Sequence, residues 1–435
     1  MKRLLRQLGR WEYTWLCLLV IIVLALHFSV INLPDKPVFD EIHYISDARN
    51  VISGNETVRG EHPPLGKLFV VAGMLIFGDN PIGWRFFSIL LGAITLVLFY
   101  LICRNLSLSK RTSFLAVFLL ALENLTFVFT GMAMLDVACL TFTVAAFWLY
   151  LRGNYPIAGI MVALSALCKL NGSLAIVAIF LHWLIVRRDR ILEFVGLLFF
   201  AAVFFVFLMP VFDLYLFHQW TNPFSHISTM LSGTSSLTFE NVDNSYALPP
   251  WEWIFRFDLT PYTFNPNYLG VVSYTVEGLI VPIVIFMLYK ALPLPENFWG
   301  SLSGYTKRIW LRIRRRDERI SPTAIITAPQ AESSDAGVFS LAWLVGTYFM
   351  WMLIVFITNR VTYPFYLYQS IGPFCIGLGV FLSHMVRAWQ VRTRGKLRWV
   401  LLSIVVVFLL AHVAFFYMMS PVSYWWGTPV YNNVR

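Results

Sequence analysis

Long apolar runs recur along the chain, separated by short polar stretches in which lysine and arginine predominate. Taken with this basic punctuation, the runs predict helical spans over 13–33, 84–103, 112–130, 134–151, 156–169, 172–186, 191–212, 270–290, 338–358, 365–385 and 399–418, eleven in all. Most are near the roughly 20 residues that carry a helix across a bilayer. The short runs 156–169 and 172–186 fit either two spans or one broken hairpin, so the count stays open by about two. The fold class this implies is an all-α polytopic membrane protein, one transmembrane domain over 1–435.

Composition supports that class. Of the residues, 58% are hydrophobic and 13% charged, and the mean hydropathy is +0.68, which excludes an ordinary soluble globular chain. A net charge of +10 would suggest nucleic acid in a soluble protein. Here 24 of the 33 lysines and arginines fall in segments that the alternation places in the cytoplasm, which is the positive-inside pattern and removes nucleic acid as a partner. Lys2, Arg3, Arg6 and Arg10 precede the first run as in a secretory signal, but the run is long and lacks a small-residue cleavage site. An uncleaved first span with a cytoplasmic N-terminus is expected. The five cysteines have no metal-type spacing and lie in or beside apolar runs, which disfavours a disulfide framework or a zinc site.

Acidic residues lean the other way, towards two long outer loops at 34–83 and 213–269. Within the first, 66–78 is apolar but too short to span, so it predicts a helix at the interface or a re-entrant piece. The second is rich in aromatic residues, including Trp251 and Trp253, as in an interfacial belt. The cytoplasmic loop 292–337 carries Arg312, Arg314, Arg315 and Arg316 and then a Ser, Ala and Pro tail. A basic helix on anionic headgroups, followed by a linker, is expected there.

The outer face holds the candidate chemistry. Asp40 and Glu41 are adjacent acids beside the membrane; ordinary solvated loop acids are the plain alternative, but a carboxylate here can take a proton from a hydroxyl. His62, Pro63, Pro64, Leu65, Gly66 and Lys67 combine a proline-started helix, whose N-terminal donors favour an anion, with a cation one turn later. Arg85, Lys169 and Arg360 lie at outer ends of spans, as snorkelling anchors or as three cations converging on a lipid phosphate. Asp136 opens a span, where an ionisable group is either functional or an N-cap.

Together these pieces resemble the protein O-mannosyltransferase family, lipid-carrier-dependent glycosyltransferases of the GT-C type. Phe39 to His43 is similar to its first-loop acidic motif, and His62 to Lys67 matches its His-Pro-Pro-Leu-Gly-Lys signature. Trp84 and Arg85, Glu123 and Asn124, Leu135 and Asp136, the Cys168, Lys169 and Gly172 turn, and Pro249 to Trp253 resemble later motifs. The chain departs from the family at Thr130 and Gly131, where a Ser and Arg are usual, and its second outer loop is too short for the β-trefoil of eukaryotic members. It therefore resembles a compact prokaryotic member.

The resemblance implies a GT-C fold with about 11 transmembrane helices and interfacial helices in the first outer loop. It implies a polyprenyl or dolichyl phosphate sugar as donor, with mannose the expected sugar, and a Ser or Thr hydroxyl of an exported protein as acceptor. Transfer would invert the anomeric centre at the outer face of the plasma membrane. The roles expected are Asp40 as base, with Glu41 positioning the acceptor or substituting, and His62, Lys67, Arg85, Lys169 and Arg360 around the donor phosphate. Asp136 would bind sugar or acceptor, and no metal or other cofactor is required, since lysine and arginine neutralise the leaving group. Two readings compete: transfer to a lipid or cell-wall glycan, as in aminoarabinose transferases, and transport of a lipid-linked sugar. Transport would need ionisable groups near mid-membrane and is commonly built on internal repeats; the candidate groups here gather on one side and no repeat is visible.

Overall fold

The structure is a computed structural model that describes residues 13–57, 59–257, 259–264, 266–292, 328–391 and 395–426, with side chains left aside at 234 and 328–333. The N-terminal cations, Asp258 and the arginines at 312–316 lie outside the described residues. The elements that matter below are α2 (Glu41–Ile52) and α3 (Pro64–Phe77), which follow α1 (Thr14–Val30). Then come α4 (Pro81–Asn105), α5 (Lys110–Ala121), α6 (Asn124–Thr130), α7 (Leu135–Leu151), α8 (Tyr155–Cys168), α9 (Ala175–Val186) and α10 (Ile191–Phe217). The second half holds α11 (Pro223–Ser235), the strands β1 (Thr260–Phe264) and β2 (Asn267–Gly270), α12 (Tyr274–Glu277) and α13 (Ile280–Ala291). It closes with α14 (Ala328–Leu344), α15 (Met350–Thr358), α16 (Ile371–Val391) and α17 (Lys396–Met419).

All eleven runs expected as spans are helical over most of their length. Among the described residues, five continuous helical stretches are long and apolar enough to cross a membrane: Pro81–Asn105, Ile191–Phe217, Ser334–Thr358, Pro364–Val391 and Lys396–Met419. The pair α5 and α6, bent by 63°, makes a sixth. The remaining apolar helices are 10–17 residues long, among them the α8 and α9 pair, which a short 3₁₀ turn at Leu170–Leu174 divides.

Helix α8 sits at the centre, against α7 on one side and α10 on the other. Its buried positions Ala158, Gly159, Val162, Ala163 and Ala166 are small. Small side chains let helix backbones approach closely, which is how packing and dispersion replace a hydrophobic drive inside a membrane. The apolar 66–78 stretch forms most of α3, which buries Val70, Val71 and Met74 against α2 and α4 and leaves Leu75 and Ile76 exposed.

The bend between α5 and α6 has a clear cause. Glu123 is the N-cap of α6 and fully buried; its carboxylate accepts from Leu125 N (3.2 Å), Thr126 N (2.7 Å), the Thr126 hydroxyl (2.8 Å) and Ser273 N (2.8 Å). Asn124 Nδ2 donates to Leu269 O at 2.8 Å and Val271 O at 3.1 Å. The broken helix is thus stitched to the segment Leu269 to Ser273, which follows the long 213–269 loop. That loop contains a feature absent from the all-α expectation, the antiparallel β1–β2 hairpin.

Candidate active site

Phe39, Asp40 and Glu41 are consecutive, and each is handled differently. Glu41 opens α2 and points into protein: its two oxygens accept from Arg85 Nε and Nη2, both at 2.9 Å, and one also accepts from Ala133 N at 2.7 Å. Arg85 spends its remaining nitrogen on the carbonyls of Ile31 (2.8 Å), Leu33 (3.2 Å) and Pro34 (3.0 Å). Both side chains are 0% exposed. This corrects two expectations at once. Glu41 does not face an acceptor and Arg85 does not face a lipid phosphate, because the pair saturates itself and ties the chain before α2 to α4.

Phe39, on the other flank, adopts φ +52°, a left-handed conformation that costs a non-glycine residue on the order of 1 kcal/mol or more. Its ring stacks on Tyr262 at 4.1 Å and meets Phe365 edge-on at 5.3 Å. Between these two anchored neighbours Asp40 is the N-cap of α2, yet its carboxylate caps no backbone N–H. It is half-buried and takes a bond from the Tyr44 hydroxyl. Burial pushes the Asp40 carboxyl above the usual carboxylate range and the charge of Asp136 adds to this, while Lys169, His43 and the Tyr44 bond pull against it.

Lys169 and Asp136 form the second part. Lys169 is the C-cap of α8, where the helix gives way to the 3₁₀ turn, and its Nζ donates to both Asp136 oxygens at 2.9 and 2.8 Å. Asp136 lies in the first turn of α7, where a negative charge suits the helix dipole. The N-cap is Met134, so the plain capping reading of Asp136 does not hold. Both its oxygens hold the Lys169 ammonium. That ammonium lies 5.6 Å from the Tyr366 ring centre.

Lys169, Arg360, His62, Glu61 and Tyr366 line one cavity of about 490 Å³. Its other walls are largely apolar, with Leu170, Leu174, Leu231, Trp351 and Ile354. Two cations in the wall of a largely apolar cavity suit a ligand with an anionic head and a hydrocarbon tail. Burial holds the His62 imidazole down to about 3, with Lys169, Lys67 and Arg360 adding to the effect, so His62 enters as a neutral ring.

A family model described as Dolichyl-phosphate-mannose-protein mannosyltransferase matches residues 61–212. Over that segment the chain is similar to protein O-mannosyltransferases. A polyprenol-phosphate-mannose–protein mannosyltransferase of Mycolicibacterium smegmatis is 35% identical over 144 residues, which cover 31% of this chain and 28% of that protein. The Candida albicans dolichyl-phosphate-mannose–protein mannosyltransferase 1 is 30% identical over 154 residues, 32% of this chain and 17% of its own length. The match therefore spans under a third of these relatives. In structure, the chain is similar to the Saccharomyces cerevisiae protein O-mannosyltransferase Pmt1-Pmt2 complex bound to the sugar donor (TM-score 0.68, 13% identity, 95% of this chain and 90% of that one). It is less similar to ArnT from Cupriavidus metallidurans bound to undecaprenyl phosphate (TM-score 0.51, 16% identity, 95% and 77%). These likenesses show the GT-C fold, and the chain is an integral membrane protein.

The mannosyltransferase signature His62 to Lys67 does structural work here as well as lining the cavity. Gly66 lies so close to α7 and α8 that a Cβ would meet Leu135 Cδ2 at 2.8 Å and Cys168 O at 3.0 Å. Lys67 turns away from the cavity. Its ammonium is 1% exposed, pairs with Asp47 Oδ2 at 2.8 Å and donates to the Arg59 carbonyl. The expectation that Lys67 sits at the donor phosphate is thereby corrected: its charge is consumed in holding the 47–59 segment to α3.

Sequence reasoning missed the tyrosines near the candidate site, namely Tyr44 and Tyr262 by Asp40 and Tyr366 by Lys169. It also missed Asp213 and His226. His226 Nδ1 lies 2.7 Å from Asp213 Oδ2 and its Nε2 lies 3.0 Å from Gly60 O. This ties α11, a cavity wall, to the segment carrying Glu61 and His62. No local pattern marks residues that meet across 166 positions.

Proposed function

We propose that the chain transfers mannose from a polyprenyl or dolichyl phosphate carrier to serine or threonine hydroxyls of exported proteins, inverting the anomeric centre in one displacement. The observation that carries this reading is the isolation of Asp40: alone among Asp40, Glu41 and Asp136 it has no cationic partner at ion-pair distance among the described residues, and it lies within electrostatic reach of Lys169, which lines a cavity suited to a lipid phosphate. In the reaction, Asp40 accepts the hydroxyl proton and the hydroxyl oxygen attacks the anomeric carbon. The bond from that carbon to the phosphate oxygen breaks, and Lys169 and Arg360 stabilise the departing lipid phosphate. A carboxylate on the acceptor side and positive charge on the leaving-group side are what an oxocarbenium-like centre needs.

Asp136 keeps the Lys169 ammonium in place, and the apolar cavity walls hold the first part of the hydrocarbon chain. The lysine and arginine supply the positive charge without a metal. The site opens on the outer face of the plasma membrane, with the N-terminus in the cytoplasm. The relatives' names, polyprenol-phosphate-mannose–protein mannosyltransferase, support the donor and acceptor classes.

The test is incubation of the purified protein with polyprenyl phosphate mannose and a Ser/Thr-rich peptide, with mass spectrometry of the products. A peptide heavier by one hexose is expected. Modification of lipid or glycan acceptors alone, with the peptide untouched, overturns the reading in favour of an aminoarabinose-transferase-like enzyme.

A further inference from the structure

We propose that Tyr262 is a positioning residue for Asp40, and that the β1–β2 hairpin exists to aim it. This rests on the reading of Asp40 as the base. Strand β1 pairs Pro261 with Leu269 and Thr263 with Tyr268, so Tyr262 is an extra residue with no cross-strand partner. Such a bulge redirects the side chain it carries and bends the strand, which is why bulges recur beside active sites. Here the redirected ring lies face to face with Phe39, 4.1 Å away at 27°. Phe39 is the residue immediately before Asp40 and holds φ +52°, a conformation a phenylalanine keeps only when its surroundings enforce it.

The enforcement comes from several rings together. Phe365 meets Phe39 edge-on at 5.3 Å, and Phe129 lies 6.2 Å from Tyr262. On the far side Gly270, the last residue of β2, receives the phenol: a Cβ there would overlap both the hydroxyl and the ring carbons of Tyr262. The Tyr262 oxygen is buried and has no hydrogen-bond partner among the described residues. The position therefore uses the flat ring and not the hydroxyl. Glu41, locked by Arg85, fixes the backbone after Asp40; the Tyr262 and Phe39 stack fixes it before. With both neighbours anchored, the carboxylate between them is aimed without spending its own oxygens on a cap.

The test uses the full-length purified protein, with polyprenyl phosphate mannose and an acceptor peptide, comparing Tyr262→Phe, Tyr262→Ala and Gly270→Ala, with Asp40→Asn run alongside. Misplacing a reacting group by about 1 Å can cost on the order of 100-fold, so Tyr262→Ala should lower kcat by roughly tenfold or more while donor KM stays unchanged. Gly270→Ala, which displaces the same ring from a different residue, should do likewise. Tyr262→Phe should restore turnover to within about twofold, since it keeps the ring. In the alanine variants the low-pH limb of turnover should move towards the ordinary carboxylate range, because loosening the stack lets water reach Asp40; a purely structural lesion would lower the amount of active enzyme without moving that limb.

Tyr262→Ala with normal kcat and an unmoved limb overturns the proposal while Asp40→Asn remains inactive, leaving the base assignment intact. Loss in Tyr262→Phe equal to that in Tyr262→Ala also overturns it, by assigning the work to the hydroxyl. Full activity of Asp40→Asn overturns the base assignment and this inference together.

Discussion

Glu41 and Arg85, 44 residues apart, meet through two hydrogen bonds of 2.9 Å with neither side chain exposed. Removing one member of such a pair strands a charge in a low-dielectric interior, which costs about 3–5 kcal/mol. Arg85→Ala and Glu41→Gln should therefore lower the thermal unfolding midpoint in detergent and reduce the folded yield, with little specific effect on donor KM in the protein that folds. A stable Arg85→Ala protein with weakened donor binding would restore Arg85 to the phosphate.

Asp40→Asn should behave in the opposite way. It removes no cap and no ion pair within hydrogen-bonding distance, so unfolding should barely change. Turnover should fall by roughly 10² to 10⁴, the usual contribution of a positioned base. Burial raises the Asp40 carboxyl, so the base becomes protonated, and turnover is lost, as pH falls through a midpoint above the value of about 3.9 for a free aspartate. A pH–rate profile of kcat/KM checks the sign.

Lys169→Ala and Arg360→Ala should each weaken use of the donor. Losing one charge-assisted donor to an anionic leaving group removes about 2–3 kcal/mol, or roughly 30- to 150-fold in kcat/KM. EDTA should leave turnover as it was. Abolition by chelator, with recovery on adding manganese, would show that the two cations are not sufficient.

Topology is open to a direct measurement. A cysteine or epitope placed at Asp243 should label from outside intact cells, and one at Glu332 only after permeabilisation, because the basic runs flank the latter. Labelling of both from the same side would invert the assignment of faces.

The helical architecture was legible because apolar runs of about membrane length state their structure locally, and Lys169 was legible because a cation at the end of such a run stands out. The roles of Asp40 and Glu41 could not be separated in the same way. Two adjacent carboxylates look alike in sequence, and the difference between them is the arginine that reaches one of them from α4. Lys67 was misread for the same reason: its partner Asp47 lies on α2, in no helical register with it. The hairpin escaped notice because its strands are five and four residues long, and a bulge breaks the alternation that would have announced them.

The bend at Glu123 also constrains the order in which the protein can be made. The Asn124 amide group bonds Leu269 and Val271, and Glu123 accepts from Ser273. Until the ribosome has delivered residues 269 and 271, about 145 positions later, the buried side-chain amide of Asn124 lacks both of these acceptors in a setting with little water to replace them. The first half of the bundle can therefore enter the membrane as helices but cannot complete the packing around Glu123 and Asn124 alone. Completion of this packing waits on the second half of translation, so a chain arrested before the hairpin carries Asp40 and Lys169 without the β1–β2 segment that packs against Phe39 and Asn124.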